Sequence, residues 1–279
     1  MQSTIIQTTD GYGIHANVFN PKASNGKLLL INSATGVKQQ MYFAFAQYMT
    51  ANGFTVITYD YRGIGLSKPR KMRGFEASMR MWGTHDYKAL TTYIQNHFPH
   101  YQYYGVGHSV GALILGMNSD STIFEKFVFI ATQKAHVKNL DFSTKVLGYF
   151  AFGFIQPVSS TIFGYFPAQY LGLGESLPKG TGSDWRTLVL NKKSTNKLLE
   201  KVTDYSKNLT QNTLMIRLED DLWVTEKGVQ NLFKETYPHL KVQHRLVSVS
   251  ESEAGKIGHV DYFRSFNSKL WSIILEYLE

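Results

Sequence analysis

Two hydrophobic periods alternate along the chain. Ser3–Thr8 and Ile14–Phe19 carry strand-like alternation on either side of Asp10-Gly11-Tyr12-Gly13, a composition that predicts a hairpin turn. Lys27–Ile31 is a short apolar run, suited to a strand buried on both faces. Tyr42–Asn52 follows helical spacing through Phe43, Phe45, Ala46 and Met49, with Gly53 as its stop. A strand at Thr55–Tyr59 leads into the turn YDYRGIGLSKP (59–69). A helix around Asp86–His97 and strands at Gln102–Val106 and Lys126–Ala131 follow. Strand and helix alternating in this way predict an α/β fold with a mostly parallel sheet covered by helices on both faces.

The pattern breaks from about Lys134 to Lys207. Aromatic residues are dense there (Phe142, Phe150, Phe154 and Tyr170 among them) and β-branched runs are lacking, so this stretch reads as a helical insertion. Alternation resumes with a strand at Thr213–Arg217, a helix at Glu226–Tyr237, a strand at Lys241–Val247 and a last helix at Tyr262–Leu278. The expected division is a core over 1–133, an insertion over 134–208, and the rest of the core over 209–279.

Composition narrows the chemistry. The chain of 279 residues has no cysteine, which excludes disulfides, thiolate catalysis and cysteine-held metals. The net charge of +8 comes from scattered lysines without dense basic blocks, so no nucleic-acid partner is expected. The insertion holds ten Lys and Arg against five Asp and Glu, and so carries most of that charge. Val146–Gly174 has no charged residue, but Pro157, Pro167 and several glycines interrupt it as a membrane span. The N-terminus shows neither a basic n-region nor an apolar core of signal-peptide type, and a cytoplasmic location is the expectation.

The densest chemical signal is Gly107-His108-Ser109-Val110-Gly111, placed after a strand and before an apolar helical stretch. That is the context of a nucleophile elbow, G-x-S-x-G, whose tight turn lifts the serine above the sheet. Two other readings compete: a packing turn, and a Gly-rich dinucleotide loop built on Gly105, Gly107 and Gly111. The dinucleotide loop would need an acid near the end of the next strand, where Thr132 and Gln133 stand instead. A serine nucleophile needs a base and a group to orient that base, in the chain order Ser, Asp or Glu, His. His259, in Ile257-Gly258-His259-Val260-Asp261, lies between the last strand and the last helix. His239 and His244 are its competitors. The strand 213–217 runs into Leu218-Glu219-Asp220-Asp221, where Asp221 is the preferred acid, Asp220 the reserve and Glu219 third. Val110 should offer one backbone N–H to an oxyanion. Asn32-Ser33-Ala34-Thr35-Gly36 should offer the other, with Ala34 preferred and Ser33 or Thr35 as neighbours in reserve.

Through NSATG (32–36), YDYRGIGLSKP (59–69), GHSVGA (107–112), LEDDLWV (218–224) and IGHVDYF (257–263), the chain resembles α/β-hydrolase-fold serine hydrolases over nearly its whole length. It resembles in particular a mostly bacterial group of predicted α/β hydrolases that share the ATG and YDYRGIGLS motifs. The resemblance implies an eight-stranded sheet with a helical cap inserted after strand six. It also implies a Ser109-Asp221-His259 triad that cleaves esters or thioesters without metal or cofactor. Two departures stand out: Leu218 replaces the glycine of the G-x-x-D turn, and Asn32-Ser33 replaces the His-Gly of the oxyanion loop. NSATG is also similar to the HALTG of homoserine acyltransferases, so transfer to an acceptor other than water stays open, as does a ligand-binding member without activity. The expected partner is a small acyl substrate with an apolar part, seated in a pocket to which Phe142–Tyr170 contributes. The basic, aromatic cap would also suit transient contact with a membrane surface.

Overall fold

Strands that bury both faces need helices above and below them, and the chain supplies both layers. The computed structural model describes residues 1–279. One sheet contains β1 (Gln2–Gln7), β2 (Gly13–Phe19), β3 (Lys27–Asn32), β4 (Thr55–Tyr59), β5 (Gln102–His108), β6 (Lys126–Ile130), β7 (Asn212–Leu218) and β8 (Lys241–Val247). Across the sheet they run β1-β2-β4-β3-β5-β6-β7-β8. β2 is antiparallel to β1 and β4, and every other neighbouring pair is parallel. The expected hairpin and parallel sheet are both present.

Leu28 to Ile31 of β3 and the whole of β4 are buried, as a central strand requires. Helix α1 (Phe43–Ala51) lays Phe45, Ala46 and Met49 into the core and packs on β4. Helix α2 occupies residues 79–97, starting seven residues before the predicted helix, and contains a π-helical stretch at Trp82–Tyr87. That wider stretch brings Trp82 and Asp86 onto one buried face beside the turn after β4. Trp82 Nε1 donates to Arg62 O at 3.1 Å, and Asp86 accepts from Arg62 N and Nε at 2.9 and 2.6 Å. Both residues therefore brace that turn, as does Asp60, which accepts from Gln39 and Leu66.

The predicted C-terminal helix is broken. Short 3₁₀ turns at Asp261–Phe263 and Ser265–Trp271 precede a true helix, α8, over only Ser272–Leu278. The buried Asn267 interrupts the regular repeat. Its side chain accepts from Ser252 Oγ at 2.5 Å and donates to Lys256 O and Asp261 O, tying the loop before it in place.

Between β6 and β7 lie α4 (Phe142–Phe163), α5 (Lys179–Leu190) and α6 (Thr195–Leu199). An unpredicted two-residue antiparallel ladder joins Tyr165–Phe166 to Leu177–Pro178. The segment is pinned to the core through Glu175. Its amide donates to Gly36 O at 2.8 Å, and its carboxylate accepts from Gly65 N at 2.7 Å and Lys68 Nζ at 2.6 Å. Helix α7 (Glu226–Glu235) then crosses from β7 to β8.

Candidate active site

Parallel strands deliver their connecting loops to one edge of the sheet, and the predicted site residues converge there, after β3, β5 and β7. At the end of β5, Ser109 adopts φ 53° and ψ −116°, a strained conformation for a residue with a side chain. Its amide donates to Ile130 O at 2.9 Å, and its carbonyl accepts from Thr132 Oγ1 at 2.8 Å, so the end of β6 and the residues just after it hold Ser109 on both sides. The flanking glycines are steric necessities. A Cβ on Gly107 would lie 2.6 Å from Ala112 Cα, and one on Gly111 would lie 2.2 Å from Asn32 O. Only a bare backbone lets the short helix α3 (Val110–Leu113) approach both β5 and β3 so closely.

After β7, the two adjacent aspartates divide their work. Asp221 Oδ2 lies 2.7 Å from His259 Nδ1, with the carboxylate side chain fully buried and the imidazole 24% exposed. Its other oxygen accepts from Trp223 N at 2.9 Å. Asp220 instead accepts from the amides of Ile257 and Gly258 at 2.9 and 2.8 Å, so it clamps the backbone just before His259. Glu219 turns away to Ser248 and Val249. His239 and His244 are exposed elsewhere on the surface, with His244 against Phe233. The carboxylate held by the buried pocket and the ring it orients are thus Asp221 and His259. His259 Nε2 has no protein hydrogen-bond partner, and His259 borders the same cavity as Ser109.

The backbone donors differ from expectation at one residue. Val110 N has no protein acceptor, as an oxyanion donor requires. Ala34 N–H donates to the buried Tyr42 Oη at 2.9 Å and is therefore directed into the core. The expectation of a free amide at Ala34 fails for that reason. Thr35, the next residue, borders the cavity and its amide has no protein partner.

Tyr42 Oη also meets His108 Nδ1 at 2.8 Å, and His108 Nε2 meets His259 O at 2.8 Å. A carbonyl only accepts, so Nε2 carries the His108 proton, and the Tyr42 hydroxyl donates to Nδ1. Burial, with the His259 ring adding to it, pushes His108 down to about 3, which keeps it neutral. This buried chain joins the loop after β3, the elbow and the His259 loop. Sequence reasoning passed over both Tyr42 and His108. The one available signal was a histidine immediately before the elbow serine.

The cavity over these residues has a volume of 660 Å³. Leu140, Leu173, Trp185, Leu188 and Val189 give it an apolar wall from the inserted segment, with Leu113 and Trp223 from the core. No residue of Phe142–Tyr170 lines it, so the expected contribution of that stretch to the pocket is not found. The aromatic rings of α4 either pack beneath the helix or face outward.

Residues 25–132, which include the elbow, match the family model for S33 serine aminopeptidases. A thermostable carboxyl esterase from Bacillus coagulans superposes with a TM-score of 0.66 at 13% identity, covering 99% of this chain and 98% of that one. An esterase from Pyrococcus furiosus gives 0.64 at 15% identity, covering 99% and 90%. An alpha-beta serine hydrolase homologue from Coxiella burnetii gives 0.57 at 13%, covering 100% and 97%. The chain has the α/β-hydrolase fold. No curated protein sequence matches it closely. At these identities the likeness speaks for the fold, and the reaction must be argued from the site.

Proposed function

We propose that the protein is a serine hydrolase that cleaves carboxylic esters or thioesters, with Ser109, His259 and Asp221 as its triad and residues 134–208 as its cap. The observation that carries this reading is the 2.7 Å contact of buried Asp221 with His259 Nδ1, over the cavity that Ser109 enters from a strained turn. With Nδ1–H held by the carboxylate, Nε2 is the basic nitrogen. It takes the Ser109 proton as Oγ attacks the substrate carbonyl, and the imidazolium so formed is stabilised by Asp221. The tetrahedral oxyanion receives N–H donation from Val110 and Thr35. His259 then protonates the leaving alcohol or thiol, leaving an acyl-serine. Water, deprotonated by the same nitrogen, releases the acid and restores Ser109.

The apolar wall fits an acyl chain, and the volume lies within the range of small-molecule sites. Of the charged residues at the cavity border, Glu175 is paired with Lys68 and Arg264 with Asp261, which leaves Lys38 to favour a substrate that carries negative charge beside its apolar part. A fluorophosphonate probe should label the wild type at one site, read by intact mass, and should not label Ser109→Ala. Folded wild type that stays unlabelled would overturn the reading.

A further inference from the structure

Helix α4 is 22 residues long and apolar enough to cross a membrane, yet it lies along the protein. Thr144, Gly148, Phe152, Gln156 and Ser160 are buried beneath it, and Arg186 Nε donates to Phe152 O at 2.9 Å. A helix with one face packed in this way cannot also be a span. Its opposite face is unpartnered. Phe142, Val146, Phe150, Phe154, Val158 and Ile162 recur every fourth residue and are all exposed, Phe142 at 79% and Phe154 at 60%. Tyr170, 78% exposed, and Leu171 are further exposed apolar groups on the segment that follows. Leaving so many large apolar groups in water is unfavourable, and none of them lines the cavity.

What borders this face identifies its occupant. Lys138 and Lys145 lie at the start of α4, with Asp141 the only carboxylate over residues 138–174. At its other end, Arg73 donates to Ile162 O and Phe163 O, which sets the run Arg70-Lys71-Met72-Arg73 against the helix. None of these five cations has a carboxylate partner in a salt bridge. We infer that α4 docks the protein on the surface of an anionic lipid bilayer, its aromatic and aliphatic side chains entering the acyl boundary and its flanking cations meeting headgroup phosphates. A second copy of the chain would bring the same cations against one another, whereas an anionic surface complements them. Gly172–Glu175, which line the cavity, follow directly on Tyr170 and Leu171, so the exposed apolar segment runs into the border of the cavity.

The test is co-sedimentation of the full chain with phosphatidylcholine vesicles, with and without phosphatidylglycerol, at low and high salt. The expected result is partition to the phosphatidylglycerol vesicles that weakens with salt. Phe150→Ser with Phe154→Ser should lower partition by about tenfold or more. Arg70→Ser with Lys71→Ser should lower it by about fivefold for each cation removed. All four side chains are exposed, so unchanged melting temperatures identify these as surface effects. Absence of partition to either vesicle, or equal partition of the variants, would overturn the inference. So would a lipid-free dimer in sedimentation velocity that the phenylalanine pair dissociates, because a second copy would then cover the face. The assay reads partition and not turnover, so its outcome is separate from that of the hydrolase reading.

Discussion

Replacing Tyr42 by phenylalanine tests the buried chain beneath the site with the loss of one oxygen. That oxygen is fully enclosed, accepts from Ala34 N–H at 2.9 Å and donates to His108 Nδ1 at 2.8 Å. The substitution leaves a buried donor and a buried acceptor without partners. Each such group costs about 1–3 kcal/mol, so the pair costs about 2–6 kcal/mol. Ala34 borders the cavity, where water can reach its amide after a small shift, which favours the lower half of that range, about 2–4 kcal/mol. At about 2–4 °C per kcal/mol for a domain of this order of size, the melting temperature should fall by about 5–15 °C. The comparison is Tyr48→Phe. The Tyr48 ring packs on Trp271 while its hydroxyl has no protein partner, so its loss should leave stability within about 0.5 kcal/mol of wild type. Urea unfolding of both variants beside the wild type decides the matter. Tyr42→Phe as stable as Tyr48→Phe would refute the claim that this hydroxyl holds the loop after β3 to the elbow.

Asp221→Asn should lower kcat by on the order of 10³–10⁴ with little loss of stability, because the imidazole loses the group that fixes its tautomer and stabilises its charged form. Asp220→Asn should do the reverse, costing about 1–3 kcal/mol in urea unfolding as an amide NH₂ faces the Ile257 or Gly258 donor, with rates within about tenfold. A larger rate loss from Asp220→Asn would exchange the two roles. Gly111→Ala should yield little folded protein or lose at least about 1–3 kcal/mol, since its Cβ would meet Asn32 O at 2.2 Å, and wild-type unfolding of this variant would contradict the packing. The depressed His108 value, about 3 against an ordinary 6.5, makes the unfolded chain the better proton binder between them. Stability from this group is therefore complete above pH 6.5 and is lost as pH falls toward 3, at up to about 1.4 kcal/mol per unit. Unfolding curves from pH 7 to 5 should be shallower in pH for His108→Asn by about one proton, and identical slopes would exclude a neutral buried His108.

Much of this protein is legible in local pattern. The strands of the parallel sheet are recognisable because a strand buried on both faces must be continuously apolar, as Leu28–Ile31 and Phe127–Ile130 are. The elbow is recognisable because the turn excludes a Cβ at Gly107 and Gly111, so a steric requirement appears directly as residue type. Chain order narrowed the acid to the run Glu219-Asp220-Asp221 and favoured His259 over His239 and His244, since loops after parallel strands emerge at one edge. The alternation misjudged the start of α2 and missed the short ladder of the insertion, and at the C-terminus the side-chain hydrogen bonds of Asn267 outweigh helical spacing.

Other features depend on partners distant in the chain, and no local pattern records them. Asp220 and Asp221 are adjacent and chemically identical. Only the approach of a loop 37 and 38 residues away gives one of them two amides and the other an imidazole. Ala34 and Thr35 were equivalent as donors until the fold brought Tyr42 onto the first. The aromatic residues of α4 have the composition of a pocket lining whether they face a cavity, a core or water. Which of these they face is set by how the helix is seated on α5 and the short ladder beside it, a packing choice that residue type does not encode. Sequence thus determined the chemistry this chain can present and the order in which it is presented. Tertiary structure decided which of several equivalent groups are left free to use it, because hydrogen-bond capacity and burial are properties of neighbours and not of residues.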